Sequence, residues 1–489
     1  MPRSPVLASL AAAAFLVFHV AGAAEPASPL ARQPEVAAAI RVLDAWITRT
    51  ASDREQPGLS IGIVHDQELV WAKGYGMADL ARKRPATPST AYRIASLSKL
   101  FTATAILQLR DAGRLQLDDP VTKYLPEFQP GGRFPDAPVI TIRQLLSHTS
   151  GLPREVSGGY WNDLKFPDAA EMMRLLNAEG PALASETEWK YSNVALSLAG
   201  EIVEKASGEP YARYIERRVL APLGMTSTRV EPAADAPALA VGYGRRVPGK
   251  PRRVEGFLSA NFMVPAASFA STVEDLARFA FLQFRSGAAA GAQILRGSTL
   301  AEMQRVQWLA PDWTHGWGLG WGVRRVGEQI RISHGGSVPG HRTQITLVPA
   351  EKLGVVVLTN AEDGQPGRYV STALGIVGPA LRHAAAPPPV APARADAAWA
   401  KYAGRYVWED DEAFVMVLNG ELVMIDPSDD DPWESRVRLE AAGPDTFQMK
   451  SGDQIGELIH FEADASGRIT RLSAPGYFLD RQDTPPTSP

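Results

Sequence analysis

The 489-residue sequence contains no cysteine. This absence excludes disulfide bonds, a cysteine nucleophile, and zinc or iron–sulfur sites built on thiolates. The sequence also lacks a large excess of either charge. Its formal net charge of −4 gives no reason to expect a nucleic-acid partner. Beyond the amino-terminal segment no uninterrupted run of about 18 apolar residues occurs, so no stable membrane span is predicted.

The composition that is present is ordinary for a globular protein, with 45% hydrophobic and 21% charged residues. Residues 1–23 have the pattern of an export signal: Arg3 gives a positive start, residues 7–20 are apolar, and an A-x-A cleavage site ends at Ala23. A membrane anchor is the alternative, but the stretch is shorter than the roughly 20 residues that a span needs. We therefore expect a mature protein that is periplasmic or secreted.

A proline- and alanine-rich run without charge, residues 384–392, predicts a stiff linker over residues 384–396. From Lys401 onward there are 18 acidic and 8 basic residues, a net charge of −10, which leaves +6 for residues 1–400. Because this asymmetry coincides with the linker, we predict two domains, a body over residues 38–383 and a tail over residues 397–483.

The body has strand-like runs at both ends and helices between them, an order that predicts an α+β fold with a helical subdomain. One helix is predicted to start near Ser96 and another to follow Asn193. The strand-like runs cover residues 58–64, 69–75, 320–326, 331–333, 343–348 and 354–359. In the tail, eight short runs between residues 405 and 479 and the hairpin signal Asn419-Gly420 predict a small antiparallel β-barrel.

The four residues Ser96-Leu97-Ser98-Lys99 form an S-x-x-K motif. Residues i and i+3 share a helix face, so the Ser96 hydroxyl and the Lys99 amine can meet. A serine hydroxyl becomes a good nucleophile when a neighbour takes its proton, and a lysine can do so when burial lowers its pKa. The alternative is a surface helix that carries the motif by chance.

Tyr191-Ser192-Asn193 lies at the predicted start of the second helix. In that position a tyrosine can relay protons, and an asparagine can hydrogen-bond a substrate amide. Capping of the helix by Ser192 or Asn193 is an alternative that does not exclude the first interpretation. A similar triplet, Tyr160-Trp161-Asn162, lies in a glycine-rich loop with no predicted helix after it.

The third motif, His334-Gly335-Gly336, directly follows a strand-like run. A glycine pair lets a substrate approach the backbone, and a nearby N–H group can complete an oxyanion hole. Two other candidates are discounted. Ser60 lies in a G-x-S-x-G sequence that is predicted to be a strand, although the α/β-hydrolase elbow needs a strand-to-helix turn. We expect His148 to be a buried, hydrogen-bonded structural residue.

In order along the chain, S-x-x-K, Y-x-N about 95 residues later and H-G-G about 140 residues after that resemble the serine β-lactamase and penicillin-binding protein superfamily. The class C-like branch is the most similar, and it includes class C β-lactamases, DD-carboxypeptidases, D-aminopeptidases and esterases. The resemblance covers about residues 38–383, and the tail is similar to lipocalin-like carboxy-terminal domains. Supporting stretches are residues 92–99 (YRIASLSK), 145–152 (LLSHTSGL), 222–225 (PLGM) and 316–321 (GWGLGW).

This resemblance implies a β-lactamase-like fold, in which helices flank an antiparallel sheet. It also implies that Ser96 is the acylated nucleophile, and that Lys99 and Tyr191 share the general acid/base work. Asn193 would hold the substrate amide, with the H-G-G motif lining the binding site. The backbone N–H groups of Ser96 and Ser337 would form the oxyanion hole.

His334 occupies the place where many β-lactamases carry the lysine of K-T-G. That lysine is a permanent cation for a substrate carboxylate, whereas histidine is largely neutral at pH 7. The departure favours peptidase or esterase members of the superfamily over efficient β-lactam hydrolysis. His341 and Arg342 are candidates for supplying the positive charge instead, and a solvated loop is the alternative for both.

We therefore predict an exported serine hydrolase that forms an acyl-serine intermediate and acts on D-residue-containing small peptides, amides or esters. The alternatives are a true class C-like β-lactamase and a non-catalytic penicillin-binding or recognition protein. No metal site and no cofactor are predicted, because the histidines lack ligand spacing. The expected partner is a small-molecule or peptide substrate, and the sequence leaves the oligomeric state open.

Overall fold

A computed structural model of the chain describes residues 28–285, 291–386, 397–409, 411–418, 420–429, 432 and 435–482. The predicted export signal and most of the predicted linker lie outside these residues. The chain divides into two compact units after Ala385. No helix within the described residues is long and apolar enough to cross a bilayer.

The described part of the first unit contains eleven strands and eleven α-helices. The strands are β1 (Gly58–His65), β2 (Glu68–Asp79), β3 (Arg84–Pro85), β4 (Tyr92–Arg93), β5 (Ala270–Ser271), β6 (Trp308–Leu309), β7 (Gly316–Trp317), β8 (Gly322–Val326), β9 (Gln329–Val338), β10 (His341–Val348) and β11 (Leu353–Thr359). The helices are α1 (Pro34–Asp53), α2 (Ser98–Asp111), α3 (Ile142–Ser147), α4 (Tyr160–Asp163), α5 (Ala169–Glu179), α6 (Asn193–Ser207), α7 (Tyr211–Ile215), α8 (Val264–Ala267), α9 (Val273–Gln283), α10 (Gly297–Gln304) and α11 (Pro366–Ala385). Short 3₁₀ turns add Leu30–Arg32, Ala95–Leu97, Val121–Lys123, Asn261–Met263 and Pro349–Glu351, and a π-helical turn adds Glu216–Leu220.

Nine of these strands form one antiparallel sheet in the order β3-β2-β1-β11-β10-β9-β8-β7-β6. The central strands are buried along almost their whole length, because helices cover both faces of the sheet. On one face Leu59, Ile61 and Ile63 of β1 pack with helices α1 and α11. The opposite face meets a larger core that contains α2, α6 and α9. The predicted α+β fold is confirmed.

Helix α2 lies in the middle of the larger core. Its residues from Ser98 to Leu107 are all buried, and it packs against α6 and α8. Helix α6 ends where predicted, because Gly208 takes a left-handed backbone conformation with φ +76° and its N–H bonds to the Glu204 carbonyl. The two predicted catalytic helices are therefore packed neighbours.

The second unit is a closed eight-stranded barrel in which each strand pairs with the next and the last strand pairs back to the first. Tyr406, Phe447 and Phe461 are among the side chains that fill its core. The predicted antiparallel barrel is confirmed. The strands are β12 (Gly404–Trp408), β13 (Asp411–Leu418), β14 (Glu421–Ile425), β15 (Val437–Gly443), β16 (Thr446–Met449), β17 (Leu458–Ala463), β18 (Ile469–Ala474) and β19 (Tyr477–Gln482), and a 3₁₀ turn over Ala397–Lys401 precedes them.

Candidate active site

Ser96 lies in the 3₁₀ turn Ala95–Leu97, which runs directly into helix α2. The preceding residue, Ala95, has φ +51°, a left-handed conformation that costs a residue with a side chain some strain. Ser98 holds this turn in place, because its hydroxyl donates to the Ala95 carbonyl at 2.7 Å and accepts the Phe269 N–H at 3.1 Å. Ser96 is partly exposed while Ala95 and Leu97 are buried, so the turn presents the serine hydroxyl.

The Lys99 amine has three neighbours and no exposure to solvent. Its Nζ lies 3.1 Å from Ser96 Oγ, 2.7 Å from Asn193 Oδ1 and 2.8 Å from the Ala266 carbonyl oxygen. Burial is the main cause that holds the pKa of Lys99 well below its usual value. A neutral amine has two N–H groups and one lone pair. The two carbonyl-type oxygens take the N–H groups, and the lone pair remains for the Ser96 hydroxyl proton.

Glu155 fixes the orientation of the Asn193 side chain. Its Oε1 accepts a hydrogen bond from Asn193 Nδ2 at 2.5 Å and another from Trp161 Nε1 at 3.0 Å. An ionised carboxylate only accepts, so the amide nitrogen must face Glu155 and the amide oxygen must face Lys99. The charge of Glu155 raises the pKa of Lys99, and the nearby Arg154 lowers it.

Sequence reasoning missed Glu155. In the sequence it follows Arg154, and the two form an ion pair with 3.3 Å between Arg154 Nε and Glu155 Oε2. Such a pair has the pattern of an ordinary charged surface turn, and no spacing to Lys99 singles it out. The triplet that was set aside, Tyr160-Trp161-Asn162, forms a one-turn helix, α4, and is not a loop as predicted. Its Trp161 reaches the site only through Glu155.

Tyr191 lies between charged neighbours. Its ring centroid is 5.0 Å from Lys99 Nζ and 5.5 Å from the Arg154 guanidinium carbon. Burial raises the pKa of Tyr191 to about 12, and interaction with the Ser96 hydroxyl offsets part of the rise. The phenol is therefore protonated at neutral pH and can donate a proton.

Helix capping and the site use different residues of the Y-x-N motif. Ser192 is the N-cap of α6: its hydroxyl accepts the Ala195 N–H at 3.0 Å and donates to the Pro153 carbonyl at 2.7 Å. The Asn193 side chain therefore does not cap the helix, and its Oδ1 accepts a hydrogen bond from Lys99 instead. The Ser192 N–H donates to Nδ1 of His148, which is fully buried, as predicted for a structural histidine.

The sequence suggested that the H-G-G motif follows a strand, but the motif lies inside strand β9. Strand β8 pairs with β9 only as far as Ser333, so within the described residues the last part of β9 has a free edge on that side. His334 and Gly336 are buried, whereas Gly335 and Ser337 are exposed. Ser337 pairs in register with Arg342 of β10. The oxyanion-hole role of the Ser96 and Ser337 N–H groups stays a prediction.

Gly336 brings β9 against the 3₁₀ turn that carries Ser96, the predicted nucleophile. A Cβ atom at this position would lie 2.3 Å from the Ile94 carbonyl oxygen and 2.2 Å from Thr343 Oγ1. Thr343 Oγ1 in turn donates to the same Ile94 oxygen at 3.0 Å. The second glycine of the motif is therefore required for packing within the protein as well as for any substrate.

His334 is a neutral residue within an aromatic cluster. Burial, with a further contribution from the charge of Lys99, lowers the pKa of His334 to about 3. Its ring lies 5.6 Å from Trp317 and 6.3 Å from Tyr191 between centroids, and Tyr191 in turn lies 4.4 Å from His148. This motif therefore provides no cation at neutral pH.

The interpretation of His341 and Arg342 as a solvated loop is wrong, because both residues lie on strand β10. His341 is only 3% exposed, and burial lowers its pKa to about 3, so His341 does not supply a positive charge either. Ser60, the discounted serine, is buried in β1, where its hydroxyl donates to the Thr87 carbonyl at 2.7 Å. Among the described residues no group of three or more histidines or acids is placed to hold a metal ion.

A family model described as Beta-lactamase matches residues 43–378. Esterase EstB of Burkholderia gladioli is 34% identical over 214 residues, which span 40% of this chain and 53% of the esterase. Penicillin-binding protein 4* of Bacillus subtilis (strain 168) is 27% identical over 344 residues, spanning 64% of this chain and 70% of that protein. The chain spans 53% to 62% of the length of several curated relatives that it matches.

Solved structures share the fold. A class C β-lactamase superposes with a TM-score of 0.60 at 23% identity, covering 71% of this chain and 98% of the other. The octameric penicillin-binding protein homologue from Pyrococcus abyssi gives a TM-score of 0.59 at 23% identity, covering 90% of this chain and 99% of the other. Since the family model matches more than half of the sequence, the resemblance is confirmed and the chain belongs to the Beta-lactamase family.

Proposed function

We propose that this protein is a serine hydrolase that works through an acyl-serine intermediate. The observation that carries the proposal is the buried Lys99 amine, which has two carbonyl-type acceptors and lies 3.1 Å from Ser96 Oγ, so that in its neutral form a lone pair is left for the serine proton. In such an arrangement the lysine accepts the serine proton as the hydroxyl attacks a carbonyl carbon.

Ser96, Lys99 and Tyr191 account for each proton that moves when the serine is acylated. As Ser96 Oγ forms a bond to the acyl carbon, its proton moves to Lys99 Nζ. The bond to the leaving group then breaks, and Tyr191, which is protonated at neutral pH, is placed to donate a proton to the departing oxygen or nitrogen. Proton transfer from Lys99 restores the phenol, and attack by water on the acyl-serine releases the acid and restores Ser96.

We propose esters and small amides, including peptides with D-residues, as the substrates. The neutral His334 supports this choice, because a β-lactam carboxylate would meet no cation from the H-G-G motif. The names of the esterase and penicillin-binding relatives support the same range. A true β-lactamase is the second candidate, favoured by the structural likeness to a class C enzyme. Nitrocefin turnover as fast as ester turnover would establish that candidate.

The test is covalent labelling of the full chain with a fluorophosphonate probe and with fluorescent penicillin, followed by peptide mass mapping. We expect label on the peptide that contains Ser96, and Ser96→Ala is expected to lose both label and turnover of p-nitrophenyl acetate. Ser60→Ala, which removes the hydroxyl of a buried serine of β1, is the matched control and is expected to label. If Ser96→Ala labels and turns over like the parent, the proposal is wrong. If the folded parent takes no label, a non-catalytic binding protein is supported instead.

We also propose that the protein is exported and that its barrel, similar to lipocalin-like domains, modulates access or assembly without supplying a catalytic residue. The positive, apolar and A-x-A segments of residues 1–23 support export. The up-and-down order of the eight strands is the order found in lipocalins. Cell fractionation, with amino-terminal sequencing of the mature protein, tests the first part. An uncleaved, cytoplasmic protein would contradict it.

A further inference from the structure

A cavity of about 200 Å³ lies beside the strand that leads into the nucleophile turn. Arg93 of β4, three residues before Ser96, lines it together with Phe257 and His341. Strand β4 is anchored by its pairing with β5, which places Arg93 opposite Ala270. The walls of the cavity are therefore held by the sheet and by the segment that carries the proposed nucleophile.

Arg93 is a buried cation without a counter-ion. Its side chain is among the buried residues, at 2% exposure, and Nε and both terminal nitrogens lack a hydrogen-bond acceptor anywhere in the described part of the chain. Burial alone lowers the pKa of Arg93, to about 10, so the group stays charged at neutral pH. A charged guanidinium is costly to bury unless an anion or several acceptors satisfy it.

The neighbours of Arg93 do not meet this need. The ring of Phe257 lies 4.5 Å from the guanidinium carbon, a cation–π contact that leaves the N–H groups unused. Burial and the charge of Arg93 keep His341 neutral, with the Pro339 and Ala240 carbonyls near its ring. The wall of the cavity thus offers a guanidinium fork and a neutral imidazole.

Besides Arg93, two arginines and two carboxylates line the cavity, and one of these arginines, Arg82, is paired with Asp79 at 3.4 Å. Arg84 already donates to the Leu239 carbonyl at 2.6 Å, and the Glu255 carboxylate is paired with Arg253 at 2.8 Å. Asp235 adds a second carboxylate to the lining. The two other arginines of the lining balance its two carboxylates in number, so Arg93 leaves one positive charge to be met, and a planar carboxylate of single charge matches its guanidinium fork.

We propose that this cavity is a binding site for the carboxylate group of a small organic acid, which Arg93 holds through paired N–H···O bonds. The ring of Phe257, 38% exposed, provides an apolar surface for the body of such a ligand. The site does not take part in acyl transfer at Ser96, so this proposal is tested separately from the proposed function.

The test measures benzoate binding to the full chain by calorimetry and by the rise in Tm, in the parent and in Ser96→Ala, so that acylation cannot account for the signal. Benzamide is the neutral isostere, and inorganic phosphate is the alternative anion. We expect benzoate to bind both proteins equally, and benzamide and phosphate to bind at least tenfold more weakly.

The variant Arg93→Met removes the charge at similar length and is expected to lose the benzoate response without a fall in Tm. Arg324→Met, at an exposed arginine of β8, is the matched control and is expected to bind as the parent does. If Arg93→Met does not fold, a second variant, Ala236→Trp, tests the site. It narrows the cavity without removing the charge of Arg93 and is expected to weaken benzoate binding at least tenfold. Equal binding of benzamide, preferred binding of phosphate, or parental benzoate affinity in Arg93→Met or Ala236→Trp would each overturn the proposal.

Discussion

The contact between Gly336 and the nucleophile turn makes one substitution especially informative. In Gly336→Ala the new methyl group would lie 2.3 Å from the Ile94 carbonyl oxygen. Ordinary contact begins at about 3.4 Å, so strand β9 and the turn must separate by about 1 Å. The Thr343 hydroxyl oxygen would lie 2.2 Å from the new methyl carbon. Thr343 cannot easily rotate away, because this hydroxyl donates a hydrogen bond to the Ile94 carbonyl oxygen.

Both stability and activity should respond. Forcing one extra methyl group into a packed contact costs about 1–3 kcal/mol of unfolding free energy. A displacement of about 1 Å between a nucleophile and the groups around it lowers the rate of reaction by about 100-fold. We therefore expect Gly336→Ala to have a lower Tm and, well below that Tm, a kcat/KM for p-nitrophenyl acetate reduced by about 100-fold.

Gly335→Ala is the matched control, since it changes the adjacent glycine of the same strand. Its methyl group would be close to Gln344 Oε1, at 2.9 Å, which is the far end of a flexible side chain, and would lie at an ordinary 3.7 Å from the Thr343 carbonyl oxygen. We expect its unfolding free energy to change by less than about 1 kcal/mol, and its kcat/KM to fall much less than that of Gly336→Ala. Equal activity and equal Tm in the two variants would refute the argument that Gly336 positions β9 against the nucleophile.

Three further outcomes are expected. Glu155→Gln removes the charge that raises the pKa of Lys99, so the amine becomes neutral at lower pH and the acidic limb of the kcat/KM profile should move to lower pH. An acidic limb that does not move would show that Glu155 does not influence the titration of Lys99. His148→Ala leaves the buried Ser192 N–H without an acceptor and should lower the free energy of unfolding in urea by about 1–3 kcal/mol, whereas His148→Asn, which tolerates φ +61°, should lose less. A chain ending at Ala385 should fold, by circular dichroism, and hydrolyse p-nitrophenyl esters, since every predicted site residue precedes that point; a folded but inactive truncate would contradict this.

The parts of the site that sequence analysis predicted are those that lie close together along the chain. Ser96 and Lys99 meet because three residues along a helical turn bring side chains together, and this spacing is visible in the sequence. The Ala266 carbonyl reaches the same amine from 167 residues away, and a backbone oxygen leaves no mark in residue type. Glu155 is equally invisible, because its role depends on the fold that brings it to Asn193.

The same contrast holds for the fold. The long strands were predicted because their apolar runs are long enough to show a pattern, as in β1 and β11. Strands β3 to β7 have two residues each, too few for any periodicity, and were not predicted. Helix α2 starts at Ser98, two residues after Ser96, because a 3₁₀ turn that begins with the left-handed Ala95 precedes it. This backbone conformation is held by bonds of Ser98 to the Ala95 carbonyl and to the distant Phe269 N–H, and it has no local sequence signal.

The ends of the two sheets bear on how the protein behaves in concentrated solution. The nine-stranded sheet terminates in β3 and β6, each only two residues long. The barrel closes on itself through β12 and β19, so it has no terminal strand. Long free edges are the templates on which chains add to one another and begin to aggregate. The barrel therefore offers little backbone for intermolecular strand pairing, whereas in the first unit the parts of β2 and β9 that extend past their short partners leave backbone edges free within the described residues.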